Sequence, residues 1–152
     1  MRRIPIEAFH AELKAQGMAD RADLAFVCPA CGTVQSARDL IAAGAGLDFD
    51  DVERILTFSC VGRFAGNKQP IRKGGGPCDW TLGGLLKIHT LEVVDADGKA
   101  HPSFETASPQ QAQRHATEFA AKVGAATITA ASDVAGDRIE IEVPGWNDGE
   151  IP

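Results

Sequence analysis

Four cysteines carry most of the chemistry in this chain: Cys28, Cys31, Cys60 and Cys78. The first two stand in Phe26-Val27-Cys28-Pro29-Ala30-Cys31-Gly32. An apolar, strand-like approach followed by C-P-x-C-G has the form of a metal knuckle. The two-residue spacer lets both thiolates face one ion. Pro29 fixes part of the turn, and Gly32 relieves crowding where the chain leaves it. The second pair is spaced differently. Cys60 follows the apolar stretch Ile55-Leu56-Thr57-Phe58-Ser59, and seventeen residues separate it from Cys78, which precedes Asp79-Trp80. A zinc ribbon would supply a second tight knuckle at this point. Here that knuckle is split by an inserted loop, which is tolerable because closure entropy grows slowly with loop length.

Three readings of the cysteines compete. A structural Cys₄ site for Zn²⁺ uses all four and closes the coordination sphere, so the metal would hold the fold and leave no position for substrate. A C-P-x-C redox pair or a disulfide leaves Cys60 and Cys78 unexplained, and a reducing cytosol disfavours it. Buried unligated cysteines, or a site that recruits histidine, complete the set. His10, His89, His101 and His115 are scattered and read as surface or packed residues. His89 is the best exception, because it follows Cys78 closely enough to approach the site as a ligand or as a donor to one.

Other candidates are weighed against plainer roles. Residues 62–78 hold Arg63, Lys68, Arg72 and Lys73 and no acid, a local charge of +4, with five glycines and two prolines. Beside Phe64 and Trp80, such a segment suits contact with phosphate or nucleic acid. The plainer reading is a solvated loop between two ligands, and an acidic protein partner would match the charge equally well. Trp80, with Leu82, Leu85 and Leu86, could form a partner-binding patch, but an aromatic next to a metal ligand more often packs over the site. Gly83-Gly84 lacks the surroundings of a phosphate cradle. Asp48, Asp50, Asp51 and Glu53 are explained by a helix N-terminus, and no catalytic triad or carboxylate pair can be read.

The elements that must position these residues follow from pattern. Residues 5–16 read as an amphipathic helix with Ile6, Phe9 and Leu13 on one face and Gly17 as its stop. Leu24 to Val27 is a strand leading into the knuckle. Ser36 caps a short helix carrying Leu40 and Ile41 that ends at Gly44. Asp48 caps another, with Phe49, Val52, Ile55 and Leu56 on one face, and Thr57 to Val61 is then extended. Leu85 to Val94 is a strand, Asp97-Gly98 a hairpin turn, and 101–106 the return strand. Ser108-Pro109 opens the best helix. Ala112, His115 or Ala116, Phe119, Ala120 and Val123 share one of its faces, and Gly124 stops it. Residues 126–131 and 138–143 form a second hairpin, whose exposed edge offers a second copy of the chain a place to pair. Residues 144–152 read as a loose tail.

The predicted fold is α+β: a small zinc-bound domain with a CPxCG knuckle, short helices and antiparallel β-hairpins. It is one domain over 1–152. Residues 24–80 form its zinc-binding region, with the flexible basic loop 62–77 inside it, and a hairpin–helix–hairpin region covers 85–143. The composition agrees, with 152 residues, 44% apolar and 24% charged, and a net charge of −6. That suits one compact soluble domain and excludes a large multidomain enzyme or a wholly disordered chain. No apolar run is long enough to span a membrane, and Met1-Arg2-Arg3-Ile4-Pro5-Ile6-Glu7 lacks the apolar core of a secretory signal. The acidic balance argues against wholesale nucleic-acid coating. From Asp133 onward the charge is −5.

The blocks Phe26 to Ser36, Phe58 to Phe64 and Cys78 to Leu85 (CPxCG, then C, then CDWTLGG) resemble a family of small uncharacterised zinc-knuckle proteins of tailed phages and prophages. Phe9-His10-Ala11-Glu12 and Ile88-His89-Thr90-Leu91-Glu92-Val93 extend the resemblance over about residues 5–113, while the region from Gly124 looks less like the family pattern. The resemblance implies phage origin and a host-cytoplasmic location, and it supplies no catalytic residues. The expected function is therefore that of a non-enzymatic zinc-binding protein that binds and modulates a host protein or defence complex. The alternative is a nucleic-acid-binding zinc module that uses the basic loop.

Overall fold

The computed structural model describes residues 1–65, 76–84 and 87–126. Within them the architecture is α+β, with four helices and two three-stranded sheets. Of the sequence expectations, the hairpin at 126–131 and 138–143, the tail 144–152 and most of the basic loop fall outside the described residues.

The first sheet has the order β1-β4-β5 and the second β3-β2-β6. Strand β1 (Arg2–Pro5) runs parallel to β4 (Leu91–Val94), with Arg2 opposite Leu91. The pattern at 2–5 hides this strand. Two arginines and a proline surround Ile4, so the segment has no buried alternation to read. Its side chains are instead held by charge: Arg2 reaches Glu12 at 2.8 Å and Glu105 at 2.7 Å, and Arg3 reaches Glu92 at 2.6 Å. Everything from residue 6 to residue 90, the whole cysteine region included, is the connection between these two parallel neighbours.

Helix α1 (Ile6–Ala15) forms as expected and buries Ile6, Phe9 and Leu13. Phe9 packs against Phe26 of β2 (Ala25–Val27), with ring centroids 6.3 Å apart. A 3-10 turn at Arg21–Asp23 precedes β2, capped by the Asp20 side chain. Strand β3 (Val34–Ser36) returns antiparallel to β2. Helix α2 (Ala37–Ala42) begins at Ser36, whose backbone N–H and hydroxyl both donate to Asp39 Oδ2, at 2.7 and 3.1 Å. Helix α3 (Phe49–Leu56) begins at Asp48, which accepts from the Asp51 amide at 3.0 Å and buries Phe49, Val52 and Leu56. The acidic cluster at its start is thus capping chemistry, as its position suggests.

Four expectations need correction. Thr57 to Val61 is not extended throughout. The amides of Phe58 and Ser59 both bond Ile55 O at 2.9 Å, tightening the end of α3, and Val61–Arg63 is a 3-10 turn. Strand β4 begins only at Leu91, where β1 and β5 (Ala100–Ser103) flank it. Residues 87–90 lie in no strand. The return strand over 101–106 is broken at Phe104. β5 pairs with β4, Phe104 turns fully inward, and β6 (Glu105–Thr106) joins the other sheet beside β2. The Phe104 amide donates to Thr57 O at 3.0 Å and not to β4, so the chain leaves the first sheet there. Lastly, Gly124 does not stop α4, which spans Pro109–Ala126. Its φ is not positive, and a glycine in the helical region of φ/ψ lets the helix continue.

Helix α4 starts with reciprocal caps between Ser108 and Gln111, at 2.9 and 3.1 Å. Only Ala112 of its expected apolar face is buried, packed with Ala25 and Ala107, and Val123 is 43% exposed. Eighteen residues make a helix about 27 Å long, and only its first turns meet the sheet. The main core is one cluster that runs from α1 through Phe26, Leu40, Leu56 and Phe104 to all four cysteines.

Candidate metal centre

The knuckle is the loop of a β-hairpin. Val27 pairs with Val34, and between them the Cys28 amide bonds Thr33 O at 2.9 Å and the Gly32 amide bonds Cys28 O at 2.8 Å. Gly32 takes φ +79°, a conformation that L side chains rarely adopt. β2 therefore delivers Cys28, and the turn delivers Cys31.

The other half is built by pairing across the inserted loop. Ser59 and Thr81 form an antiparallel bridge. Around it the Cys60 amide bonds Trp80 O at 3.0 Å, the Leu82 amide bonds Phe58 O at 2.8 Å, and the two hydroxyls of Ser59 and Thr81 lie 2.7 Å apart. This short ladder, and not a tight turn, brings Cys60 and Cys78 together. Gly62 lets the strands close. A Cβ at this position would stand 2.5 Å from Cys78 O and 2.7 Å from Pro77 C, closer than backbone atoms allow.

Gln35 joins the two halves, and the sequence reading missed it. It is fully buried on β3, where its Nε2 donates to Leu56 O and Ser59 O at 2.9 Å each and its Oε1 accepts from the Val61 amide at 2.8 Å. One side chain thus satisfies three backbone groups of the segment that carries Cys60. Gln16 does the same at the far end of β2, accepting from the Ala25 amide and donating to Ala25 O and Ala107 O. No local pattern marks Gln35, which stands between Val34 and Ser36, and burial of so polar a residue requires partners.

All four cysteine side chains are buried and unbridged, and their sulfurs lie within 4.8 Å of one another. Cys28 and Cys78 are 3.8 Å apart, as are Cys31 and Cys60. Those distances are far beyond a disulfide bond. A tetrahedron with metal–sulfur bonds of about 2.3 Å has edges of about 3.8 Å, so the donor set fits one tetrahedral ion. Backbone amides already point at the sulfurs: Cys78 N–H at Cys60 Sγ and Trp80 N–H at Cys78 Sγ, both 3.4 Å, with Thr33 Oγ1 3.1 Å from Cys31 Sγ. The thiols of Cys28, Cys60 and Cys78 bear on one another. Cys60 is pulled down to about 5, first by its hydrogen bond with Cys28 and further by the amides of Gly62 and Cys78, against the effect of burial. Cys28 is pushed up by that same bond and by burial. Burial is the first cause that pushes Cys78 up, to about 12. Metal ligation takes the thiolate form, so binding of a cation at such a cluster releases protons.

The other sequence candidates are placed as follows. Trp80 is 6% exposed and stacks on Phe104 at 5.9 Å, so it packs beside the cysteines. Phe64 is likewise packed against the core. Arg63 is exposed and folds back to Asp79 O at 3.2 Å, bracing the base of the inserted loop. Lys68, Arg72 and Lys73 lie outside the described residues. His89 is not part of the cysteine cluster, and its Nε2 lies 3.5 Å from Glu92 Oε1. His101 bonds Asp95 at 2.9 Å across the β4–β5 turn. His115 bonds Asp39 Oδ2 at 2.5 Å, the oxygen that Ser36 also uses. Serine and histidine there share one carboxylate, and the geometry joins α4 to the start of α2. No helix among the described residues is long and apolar enough to cross a membrane.

No curated protein and no solved structure matched the chain in comparison searches. A family model does match, over residues 5–107, which takes in both halves of the cysteine cluster and every strand but β1, of which it reaches only Pro5, and ends just before α4. By that match, over most of its length, the chain belongs to the VVA0879-like family.

Proposed function

We propose that the cysteine cluster is a structural Zn²⁺ site and that the protein is a non-enzymatic interaction module: a phage-encoded protein that binds and modulates a host protein or defence complex in the host cytoplasm. The observation that carries this reading is the burial of all four sulfurs. Four thiolates complete the sphere of a tetrahedral ion, so no coordination position is left for water or substrate. An all-sulfur tetrahedral donor set favours zinc over the harder divalent ions, and a reducing cytoplasm keeps the thiols available to it. Such a metal links the hairpin at 28–33 to the ladder at 58–60 and 80–82, and the basic segment lies between the two sides of that ladder in the sequence. The phage and host assignments rest on the motif resemblance alone. Affinity capture from host lysate tests the reading, comparing metal-loaded wild type with a variant carrying Arg63→Gln, Lys68→Gln, Arg72→Gln and Lys73→Gln. The expected result is a specific protein partner recovered by wild type and lost by the variant, with metal content unchanged. Equal recovery by both, or no specific partner, contradicts it.

The +4 charge of residues 62–78 also supports a second reading, a nucleic-acid-binding zinc module. Four phosphate contacts on a single strand give a log–log salt slope of about −3. Fluorescence anisotropy with a single-stranded oligonucleotide measures it, and binding that is absent or insensitive to salt dismisses this alternative.

A further inference from the structure

A cavity of about 390 Å³ opens on the side of the β1-β4-β5 sheet, away from any function assigned above. Its walls include Trp80, Leu82, Lys87, His89, Glu92 and Pro102, and the lining is mostly apolar. The volume falls in the range of small-molecule pockets, which typically pair an apolar lining with a few polar groups that fix orientation.

Two of those polar groups are conspicuous. Trp80 Nε1 and His89 Nε2 are both buried, and neither has a hydrogen-bond partner among the described residues. The indole nitrogen can only donate, and the imidazole nitrogen can donate in one tautomer or when protonated. A buried donor without an acceptor is costly, and such groups are rare in folded proteins. Lys87 adds a third donor on the same walls. The carboxylate at the site is already engaged: Glu92 Oε2 accepts from Arg3 at 2.6 and 2.9 Å, and the Arg3 guanidinium is the first cause that holds the Glu92 carboxyl below its ordinary range. Glu92 Oε1 stands 3.5 Å from His89 Nε2, near enough that this imidazole also helps to lower the Glu92 carboxyl. The cavity therefore offers an unpartnered indole N–H and Lys87, with His89 beside Glu92, over a mostly apolar lining.

We infer that this cavity binds an apolar carboxylate, its acyl or side-chain carbons against Leu82, Pro102 and the Trp80 ring and its oxygens toward the indole N–H, His89 and Lys87. The carboxylate could belong to a free branched acid or to the C-terminus of a peptide, because both present the same group. The site is independent of the metal-and-partner reading, since it uses neither the sulfurs nor the basic segment.

Trp80 supplies its own probe. The chain has two tryptophans, Trp80 and Trp146, so ¹⁵N-labelled metal-loaded protein gives two indole N–H resonances, and Trp80→Phe identifies which belongs to Trp80. N-acetyl-leucine, isovalerate and N-acetyl-leucinamide are titrated in turn. The expected result is a saturable shift of the Trp80 indole resonance with N-acetyl-leucine, with a Kd on the order of 1 mM, and a shift at least about threefold weaker with the neutral amide or in Lys87→Ala. Equal response to isovalerate identifies a free-acid pocket, and response to N-acetyl-leucine alone identifies a peptide C-terminus. No saturable shift with either acid, or equal affinity for the amide, overturns the inference.

Discussion

Two residues without metal-binding chemistry decide whether the four sulfurs meet. Gly62 lies under the backbone of Pro77 and Cys78, and even a methyl group there would meet Cys78 O at 2.5 Å. Gly62→Ala must therefore push the two halves of the split knuckle apart. The expected outcome is a protein that loses its metal to a chelator markedly faster than wild type, measured with a chromogenic zinc indicator. Gln35→Ala acts from the opposite side. It strips partners from Leu56 O, Ser59 O and Val61 N, and three lost buried hydrogen bonds at about 1 kcal/mol each give about 3 kcal/mol. The denaturant midpoint of metal-loaded protein measures this. The cysteine motif was legible at once, because C-P-x-C is a local pattern with a local geometric reason. Gln35 was not, because its three partners lie 21 to 26 residues away, and nothing near it in the chain says which backbone groups will arrive. The buried Trp80 was legible in part: packing beside a cysteine was the plainer reading, and the structure has it so.

Helices were read well and strands poorly, for one physical reason. The caps of α2, α3 and α4 and the apolar spacing of α1 and α3 are all local. Strands β1 and β6 are fixed by neighbours far along the chain, β1 by β4 and β6 by β2. β1 has almost no apolar face and is held to α1, β4 and β6 by Arg2 and Arg3. Those ion pairs set an acid limit on the fold. Arg2 is the first cause that lowers Glu12, Arg3 lowers Glu92, and His101 lowers Asp95. A carboxyl lowered in the folded state contributes stability above its ordinary pKa, 4.5 for Glu and 3.8 for Asp, and loses it as pH falls through the folded value. Stability should thus decline as pH drops below about 4.5. Glu12→Gln should flatten that decline in chemical denaturation curves taken at successive pH values. An unchanged slope would mean that the Arg2 network contributes nothing. Helix α4 depends on Ala112 and on the His115 bond to Asp39. His115→Ala should raise amide exchange along 109–126 and leave the β2–β3 hairpin protected. Equal exchange in both places would show that α4 is integral to the core.

As a whole the described residues are a pair of parallel strands with the four-cysteine module in the connection between them. The module's two halves come from opposite sides of a seventeen-residue gap. One core cluster contains the cysteines together with the residues of α1, β2, β4 and Phe104, so the proposed metal is a part of the core and not an attachment to it. Folding and metal binding should then be one event. The measurement that tests this most directly is metal content by elemental analysis on purified protein, paired with thermal unfolding before and after chelation. The expected result is one Zn²⁺ per chain, with chelation or Cys28→Ser collapsing the transition for both sheets together. A stoichiometry near zero, or a Cys28→Ser variant that unfolds as wild type does, would contradict the account.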